Sequence, residues 1–531
     1  MPHHLHDDNP MEKAEDATAR LVQALDNPNA FGHPLQNLRV LETHISWIIL
    51  TGSYAYKIKK PVDFGFLDFS TLNKRQYYCS EELRLNRRFA PGIYLDLVTI
   101  RGTPESPRLH GEGEILEYAI RMREFPQQSL LSHYAAEGKL EAAHIDAIAQ
   151  RVHRLHLGSD ACEDGNEYGS SEVARHWSEE NMTHIAAAVP AGLLPAAYER
   201  LYQWYRNNEG LLPEIDRRKQ TGHVRECHGD LHLGNMAMID GEVTAFDCIE
   251  FNPELRWIDT ISEAAFVAMD LHARGYPGFC WRFINRYLEA SADYDAVGLL
   301  RYYFIYRALV RAKVEALRVH HGSKADSDDS QAFEPALHYI DLADHWASRH
   351  RPGLIVMHGL SGSGKSTVAT RLAETLGAIH LRSDVIRKQL FDLEPEASSG
   401  SGLDDGIYAA DATALTYDRM EQITTTLLAA EYRVILDATF LLEAQRRRML
   451  ELAASCTRIV VVCDAPVDVL RSRIEEREND PSEANLQVLE QQLDRHEAIS
   501  AQEAKLSTVV KVGADGIDST QIDIIRNLLG S

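Results

Sequence analysis

Two short stretches of this chain bring together the residue types that phosphoryl transfer requires. The first, ECHGDLHLGN, runs from Glu226 to Asn235. Moving a phosphoryl group asks little covalent chemistry of a protein. It needs a carboxylate to orient the attacking hydroxyl, a divalent ion to neutralise the phosphates and a cation near the transferring group. Asp230 supplies the carboxylate, and Asn235 offers an oxygen to Mg2+. Asp247, at the end of the apolar run VTAF, is placed as the second metal ligand. Upstream, Lys57 and Lys59 share one strand face because side chains alternate along a strand. Either could hold the α- and β-phosphates of ATP, with Glu82 or Glu81 on the following helix as ion-pair partner. The plainer readings are a capped turn for His228-Gly229-Asp230 and a solvated strand edge for Lys59 and Lys60.

The second stretch, GLSGSGKST, spans Gly359 to Thr367. Gly359, Gly364, Lys365 and Ser366 complete the Walker A spacing directly after the apolar run LIVMHG. Ser361, Gly362, Ser363 and Thr367 fill out the loop. Glycines let backbone N–H groups converge on phosphates at a helix N-terminus, Lys365 reaches the β- and γ-phosphates, and Ser366 meets Mg2+. Asp437 ends the run VILD and is the candidate for the outer shell of that ion; a buried strand capped by an aspartate is the alternative. Ligands of parallel sheets gather beyond the C-terminal strand ends, where Asp384 would emerge to take a proton from a substrate hydroxyl. A helix N-cap is its plainer role. Arg387 is the partner for an acidic group or phosphate. Arg473 and Arg477, four apart, share a helical face and suit a lid closing over ATP, with surface pairing to Glu476 or Glu478 as the competing reading.

The elements that must carry these residues are legible as changes of period. LRVLETHISWIILTGSYAYKIKKPV has β-rich runs broken at Glu42–His44 and Thr51–Ser53, which predicts three antiparallel strands. A helix follows over STLNKRQYYCSEELRLNRRF, then a strand at 117–125 and a helix over KLEAAHIDAIAQRVHRLH. In that helix His153 and His156 lie one turn apart, where packing is the expected role. Residues 1 to about 15 read as loose, with Leu21, Val22 and Leu25 on one face of a short helix. The polar, acidic segment 320–335 reads as the linker or a loop beside it. Beyond Pro352, strands alternate with helices, which argues for a parallel sheet wrapped by helices. The expected division is a tail and short helix (1–25), a first catalytic domain (26–320), a linker with a connecting helix (321–350) and a P-loop domain (351–531).

At 531 residues the chain exceeds one ordinary core. Its net charge of −24 works against generic nucleic-acid binding. Seven scattered cysteines without CxxC spacing suit free thiols in a reducing compartment. MPHHLHDDNP lacks a signal-peptide pattern and no apolar run is long enough to span a bilayer, so a cytoplasmic setting is expected.

HGDLHLGN, FDCIEF and AYKIKK together resemble the aminoglycoside phosphotransferase family, relatives of the protein kinases, over residues 38–320. The resemblance implies a small β-rich lobe, a larger helical lobe and ATP between them. Asp247 is followed by Cys-Ile rather than Phe-Gly, and no glycine-rich loop stands near residue 44, which points away from a regulated protein kinase. Residues 352–531 resemble the P-loop small-molecule kinases grouped with gluconate kinase, zeta toxins and 5′-hydroxyl polynucleotide kinases, through Walker A, the Ser-Asp-x-x-Arg pattern and the lid arginines. The whole order resembles the bacterial bifunctional aminoglycoside phosphotransferase/ATP-binding protein family. The fold class expected is therefore an α+β two-lobed protein-kinase-like domain followed by an α/β P-loop NTPase domain with a parallel sheet.

The leading expectation is a tandem ATP- and Mg2+-dependent kinase acting on hydroxyls of small polar metabolites. Three alternatives stand beside it: one half catalytic and the other an ATP-sensing module, a polynucleotide 5′-hydroxyl kinase, or a zeta-toxin-like kinase. The last two would reside in the C-terminal half. Specificity is expected in the helical lobe at 160–220 and 255–320, and in an insertion at 394–420. In that insertion Asp404, Asp405 and Tyr408 could bind hydroxyls or cations.

Overall fold

The computed structural model describes residues 10–65, 67–322, 330–348, 351–394, 397, 399–400, 406–476, 485–512 and 516–530. The chain forms two compact units. One contains Met1–Leu140, Gly158–Val173 and Arg218–Glu263; the other contains Glu141–Leu157, Ala174–Arg217 and Ala264–Ser531. The fold class is the expected one, a protein-kinase-like domain followed by an α/β P-loop NTPase domain. The compact units nevertheless do not follow the sequence division at 320 and 351, because long helices before residue 320 group with the parallel sheet.

In the first unit, six strands form one antiparallel sheet in the order β1-β2-β3-β6-β4-β5. They are β1 (Arg39–Glu42), β2 (Ser46–Leu50), β3 (Tyr54–Lys59), β4 (Tyr94–Thr103), β5 (Ser106–Leu109) and β6 (Ile115–Arg123). The three predicted strands pair as expected, with Ile48 opposite Lys57 and Trp47 opposite Ile58. The helix Pro10–Ala24 begins earlier than the loose stretch to residue 15 suggested. Leu21, Val22 and Leu25 pack on Trp47, Ile49, Tyr56 and Ile58, so this helix covers one face of the sheet. The helix Leu72–Phe89 follows Thr71, whose side chain caps it by accepting from the Lys74 N–H. It buries Arg75, Cys79, Glu82, Leu85 and Phe89, a three-to-four-residue period that carries Glu82 inward.

Four short strands follow, β7 (Val224–Glu226), β8 (Met236–Ile239), β9 (Glu242–Ala245) and β10 (Trp257–Asp259), with β8 paired to β9 and β7 to β10, both antiparallel. The β8–β9 turn is Asp240-Gly241, with φ of 52° and 85°. Asp-Gly favours this two-residue hairpin because both positions need positive φ.

The second unit contains a five-stranded parallel sheet in the order β12-β13-β11-β14-β15. Its strands are β11 (Gly353–His358), β12 (Ala378–Arg382), β13 (Arg433–Asp437), β14 (Thr457–Asp464) and β15 (Ser507–Lys511), alternating with helices as expected. Ile355, Met357, Val368, Leu372, Ile435 and Val461 share one core between sheet and helices. The segment 321–350, read as a linker with a connecting helix, contains helix among its described residues. One helix continues to Gly322, and Glu334–Ala347 forms another that buries Ala336, Ile340, Ala343 and Trp346. The end of the segment read as an insertion is also helix: Ala410–Ala429 buries Thr416, Tyr417 and Met420, and beyond the segment Ile423. A mean composition of small and polar residues hid that face, whose buried positions recur at helical spacing.

Candidate active sites

The first site is assembled by the β8–β9 hairpin. Asn235 immediately precedes β8 and Asp247 lies two residues beyond β9, so pairing of Met236 with Ala245 draws the two together. The Phe246 N–H donates to the Asn235 carbonyl at 3.0 Å. Asn235 Nδ2 donates to both the carbonyl and Oδ2 of Asp230, each at 2.9 Å. That orients the Asn235 amide and holds the Asp230 carboxylate, which remains 35% exposed. Gly229 has φ +88°, and a Cβ there would stand 2.7 Å from the Leu255 carbonyl, so the turn requires glycine. Its N–H donates to Glu263 Oε1 at 2.6 Å. His228 is buried against Phe89, and its Nε2 donates to the Phe246 carbonyl at 2.8 Å. Burial lowers its pKa, which suits a neutral structural ring.

The lysine pair resolves into two different environments. Lys57 Nζ donates to Glu82 Oε1 at 2.8 Å and to Asp247 Oδ1 at 2.5 Å. Lys59 Nζ donates to Glu82 Oε2 at 2.5 Å and also to Glu250, with its ammonium 4.7 Å from the centroid of the Phe69 ring. Both partners of Lys59 are carboxylates in the interior, and its side chain is fully buried. Lys57 instead reaches Asp247, whose side chain is 46% exposed. Burial opposes charge on Lys57, but Asp247 and Glu82 outweigh it and hold its pKa well above the usual lysine range. Burial likewise opposes charge on Glu82, yet Lys57 and Lys59 hold it down at about 2. Lys60 is not a solvated edge: it is buried over the Trp47 ring and paired with Glu42. Glu81 turns outward to Arg84.

The sequence reading missed several supports of this site. Glu250 follows Asp247 by three residues between Ile249 and Phe251, and an acid flanked by apolar residues was the available signal. The Tyr94 hydroxyl accepts from the Asp247 N–H at 3.1 Å, and Asn86 Oδ1 accepts from the Cys248 N–H at 2.9 Å. These bonds hold Asp247 at φ +65°, an uncommon conformation for a residue with a Cβ.

At the second site, Gly359, Gly362 and Gly364 have φ of 148°, 81° and 87°. A Cβ on Gly359 would meet the Cys463 carbonyl at 2.4 Å, and one on Gly362 the Leu470 carbonyl at 2.8 Å. The loop therefore needs its glycines for packing as well as for backbone approach to a ligand. Lys365 Nζ donates to the Leu360 carbonyl at 2.9 Å across the loop. The Ser361 N–H donates to Gln492 Oε1 at 2.8 Å, and Gln492 Nε2 returns a bond to Ser361 Oγ at 3.0 Å. Ser363 is buried, Ser366 half-buried and Thr367 exposed.

Asp437 is buried at the end of β13, where His380 Nε2 stands 3.1 Å from its Oδ2. Burial opposes its charge, but His380, Arg382 and Lys365 hold its pKa down at about 2. His380 escaped the sequence reading because it sits inside an apolar strand pattern. Asp384 lies in the first turn of the helix Ser383–Leu390, whose N-cap is Arg382, and it is half-buried. Arg387 makes its contacts within the protein. It is buried, donates to the Ile407 carbonyl at 3.0 Å and Thr413 Oγ1 at 3.1 Å, and lies 5.0 Å from the centroid of the Tyr408 ring. Arg473 leans on the glycine loop, donating to the Gly362 and Val512 carbonyls, each at 3.4 Å. Arg477, Asp404 and Asp405 lie outside the described residues.

A kinase-like scaffold followed by a glycine loop on a parallel sheet defines the class, an ATP-dependent kinase in which a protein-kinase-like domain precedes a P-loop domain. The chain belongs to the family of Uncharacterized protein Rv2004c of Mycobacterium tuberculosis and Uncharacterized protein Mb2027c of Mycobacterium bovis. It is 30% identical to each over 478 residues, covering 87% of this chain and 92% of theirs. The AAA domain family matches residues 354–499. Among solved structures, amicoumacin kinase hAmiN in complex with AMP-PNP, Ca2+ and Ami is 15% identical, covering 62% of this chain and 96% of its own at a TM-score of 0.40. A gluconokinase from Sinorhizobium meliloti is 21% identical, covering 34% and 91% at a TM-score of 0.24. No helix among the described residues is long and apolar enough to cross a membrane.

Proposed function

We propose that each half transfers the γ-phosphoryl group of ATP to a hydroxyl of a small polar metabolite, with residues 26–320 and 351–531 as the two catalytic domains. What supports this reading is that each half carries an acid, a lysine and oxygen donors at the expected positions: Asp230, Lys57, Asn235 and Asp247 in the first, and Asp384, Lys365, Ser366 and Asp437 in the second. Neither has lost its acid, its lysine or its oxygen donors. A domain kept only to sense ATP needs no base.

In the first half Asp230 is the general base or hydroxyl-orienting group. Its partial exposure admits an acceptor, and the Asn235 amide fixes its rotamer. Lys57 is the phosphate-binding lysine, aligned by Glu82, while Lys59 is its structural counterweight in the interior. The oxygen set of Asn235 and Asp247 suits a hard divalent cation, and Asn235 spends its N–H donors on Asp230, which leaves its Oδ1 for a ligand. Mg2+ bound there would neutralise phosphate charge. In the second half Lys365 and the loop N–H groups hold the phosphates, Ser366 and Asp437 serve Mg2+, Asp384 takes the acceptor proton and Arg473 closes over the loop. Arg387 positions the segment around Tyr408 rather than touching phosphate.

The test uses the full chain and a panel of sugars, amino sugars and related alcohols with labelled ATP. Asp230→Ala removes general-base help worth about 10²–10⁴ in rate, and Lys365→Ala removes a fixed charge at the phosphates. Each should abolish a different labelled product. If both abolish one shared product, the independent tandem reading fails and one half regulates the other.

A further inference from the structure

We infer that the second unit holds a binding site for a small aromatic phosphate, a flat ring bearing an anion, at the end of the parallel sheet opposite the glycine loop. A cavity of about 700 Å³ opens there. Gly377, which precedes β12, and Arg433, the first residue of β13, line it together with Arg351, two residues ahead of β11. Gly353 and Ala378 both stand opposite Arg433 in the sheet register, so the cavity meets three neighbouring strands at their starts. The glycine loop leaves the other end of β11, roughly 15–20 Å away at the rise of a strand. Ligands of parallel sheets ordinarily gather at that far end, so this cavity is separate from the nucleotide site.

Its lining specifies a ligand by charge and by shape. Arg301, Arg351, Arg371 and Arg433 contribute four cations against two carboxylates, Glu374 and Glu431. Both carboxylates are already engaged, Glu374 with Arg282 at 2.8 Å and Glu431 with Arg301 at 3.3 Å. Arg351 donates to the Gly530 carbonyl at 3.2 Å and Arg433 to the Leu376 carbonyl at 3.0 Å. Among the described residues neither these two nor Arg371 has a carboxylate within ion-pair distance. Burial, and then the nearby Arg526 and Arg351, press the Arg433 pKa below its usual range, a crowding that a bound anion relieves. In a chain of net charge −24 this is a local excess of positive charge. Guanidinium groups match phosphate oxygens in geometry as well as charge.

The remaining wall is aromatic. Trp281 stacks on Trp346 at 5.5 Å and 14°, and Tyr432 meets Trp281 edge-on at 6.3 Å. Tyr276 and Phe279 stack at 5.7 Å and 5°. Tyr276, Phe279 and Trp281 are only half-buried, so ring surface is left for a ligand. Flat faces of this kind favour a second ring by offset or edge contact. A simple anion would use the arginines and leave these faces wet; a neutral aromatic would leave the arginines unmatched.

Phenyl phosphate titrated into the full chain tests the assignment, with phenol and inorganic phosphate as single-feature controls. Calorimetry gives the affinity, and tryptophan fluorescence reports Trp281 and Trp346. The expected result is saturable binding of phenyl phosphate with altered tryptophan emission, at least about tenfold tighter than either control. Arg351→Gln and Arg371→Gln alter exposed side chains, so the double variant should keep the wild-type unfolding midpoint while losing about tenfold or more in affinity. Absence of saturable binding at millimolar phenyl phosphate overturns the proposal, as does unchanged affinity in the double variant. Inorganic phosphate binding as tightly as phenyl phosphate overturns the ring assignment.

Discussion

Lys57 and Lys59 sit two residues apart on one strand face and share Glu82, yet their removal should fail in different ways. Lys59 is fully enclosed with Glu82 and Glu250. Lys59→Ala removes the ammonium bonded to Glu250 and half the direct pairing of Glu82. Breaking a buried pair by removing one partner costs about 3–5 kcal/mol, because a charge is left unmatched. The truncated side chain also leaves a void beside Phe69, which adds to that figure. Lys57→Ala leaves Glu82 paired with Lys59 and frees a half-exposed Asp247 into water. Its stability cost should be smaller than that of Lys59→Ala, since Glu82 keeps Lys59 and the half-exposed Asp247 is hydrated. Its catalytic cost should be large, about 10²–10³ in kcat for one preorganised charge at the phosphates. Urea unfolding followed by circular dichroism, beside ATP kinetics on the first-half product, separates the two. A Lys59→Ala protein with the wild-type midpoint would refute the interior assignment. A Lys57→Ala protein with normal kcat and KM for ATP would refute the phosphate role, and with it the register of β3.

Acid should destabilise the first unit through Glu82. Its carboxyl is held at about 2 against an ordinary 4.5, so the unfolded chain binds the proton first as pH falls. The stabilisation is whole above pH 4.5 and is lost between about 4.5 and 2, at most about 3 kcal/mol by the pKa difference. The urea midpoint should drop through that window, and Glu82→Gln should flatten the drop; an unchanged slope in the variant counts against the ion-pair account. Gly362→Ala places a Cβ 2.8 Å from the Leu470 carbonyl on a backbone at φ +81°. The loop and the helix Val467–Glu475 must separate, so AMP-PNP calorimetry on the full chain should lose one of two binding events, and two undiminished events would contradict the loop geometry.

Much of the fold was readable because the relevant periods are local. The five parallel strands are short apolar runs bounded by turns, and the hairpins carry their own turn residues, Asp240-Gly241 among them. Asp230 with Asn235, and the residues of the glycine loop, could be proposed from sequence for a similar reason, since each set is spaced along one short stretch of backbone. What stayed hidden depends on partners distant in sequence. Nothing near Lys59 announces that Glu250 will bury with it, and nothing near Arg387 announces that the 406–413 segment will take its donors. Lys60 looked like a solvated edge because charge is a surface signal on average, whereas Trp47 and Glu42 give it an enclosed place.

The division of the chain is where covalent order and packing part company. β12 is the edge strand of the parallel sheet, and an edge leaves backbone groups without partners. Asn285, on the helix Pro277–Ser291, fills that role. Its Nδ2 donates to the Ala378 carbonyl at 3.0 Å, and its Oδ1 accepts from the His380 N–H at 2.8 Å. Arg282 on the same helix pairs with both Asp146 and Glu374, and Trp281 lies against Gly377. A helix that sequence order assigns to the first catalytic domain thus completes the sheet of the second. His380, whose backbone it holds, is the partner of Asp437. Asn285 thus reaches Asp437 only by way of His380, from whose backbone N–H it accepts and whose ring stands against the carboxylate. Fusion of the two domains therefore does structural work at β12, and a chain cut near residue 325 would give its P-loop part an uncapped edge strand and an exposed Gly377 surface. Activity is accordingly best measured on the intact chain.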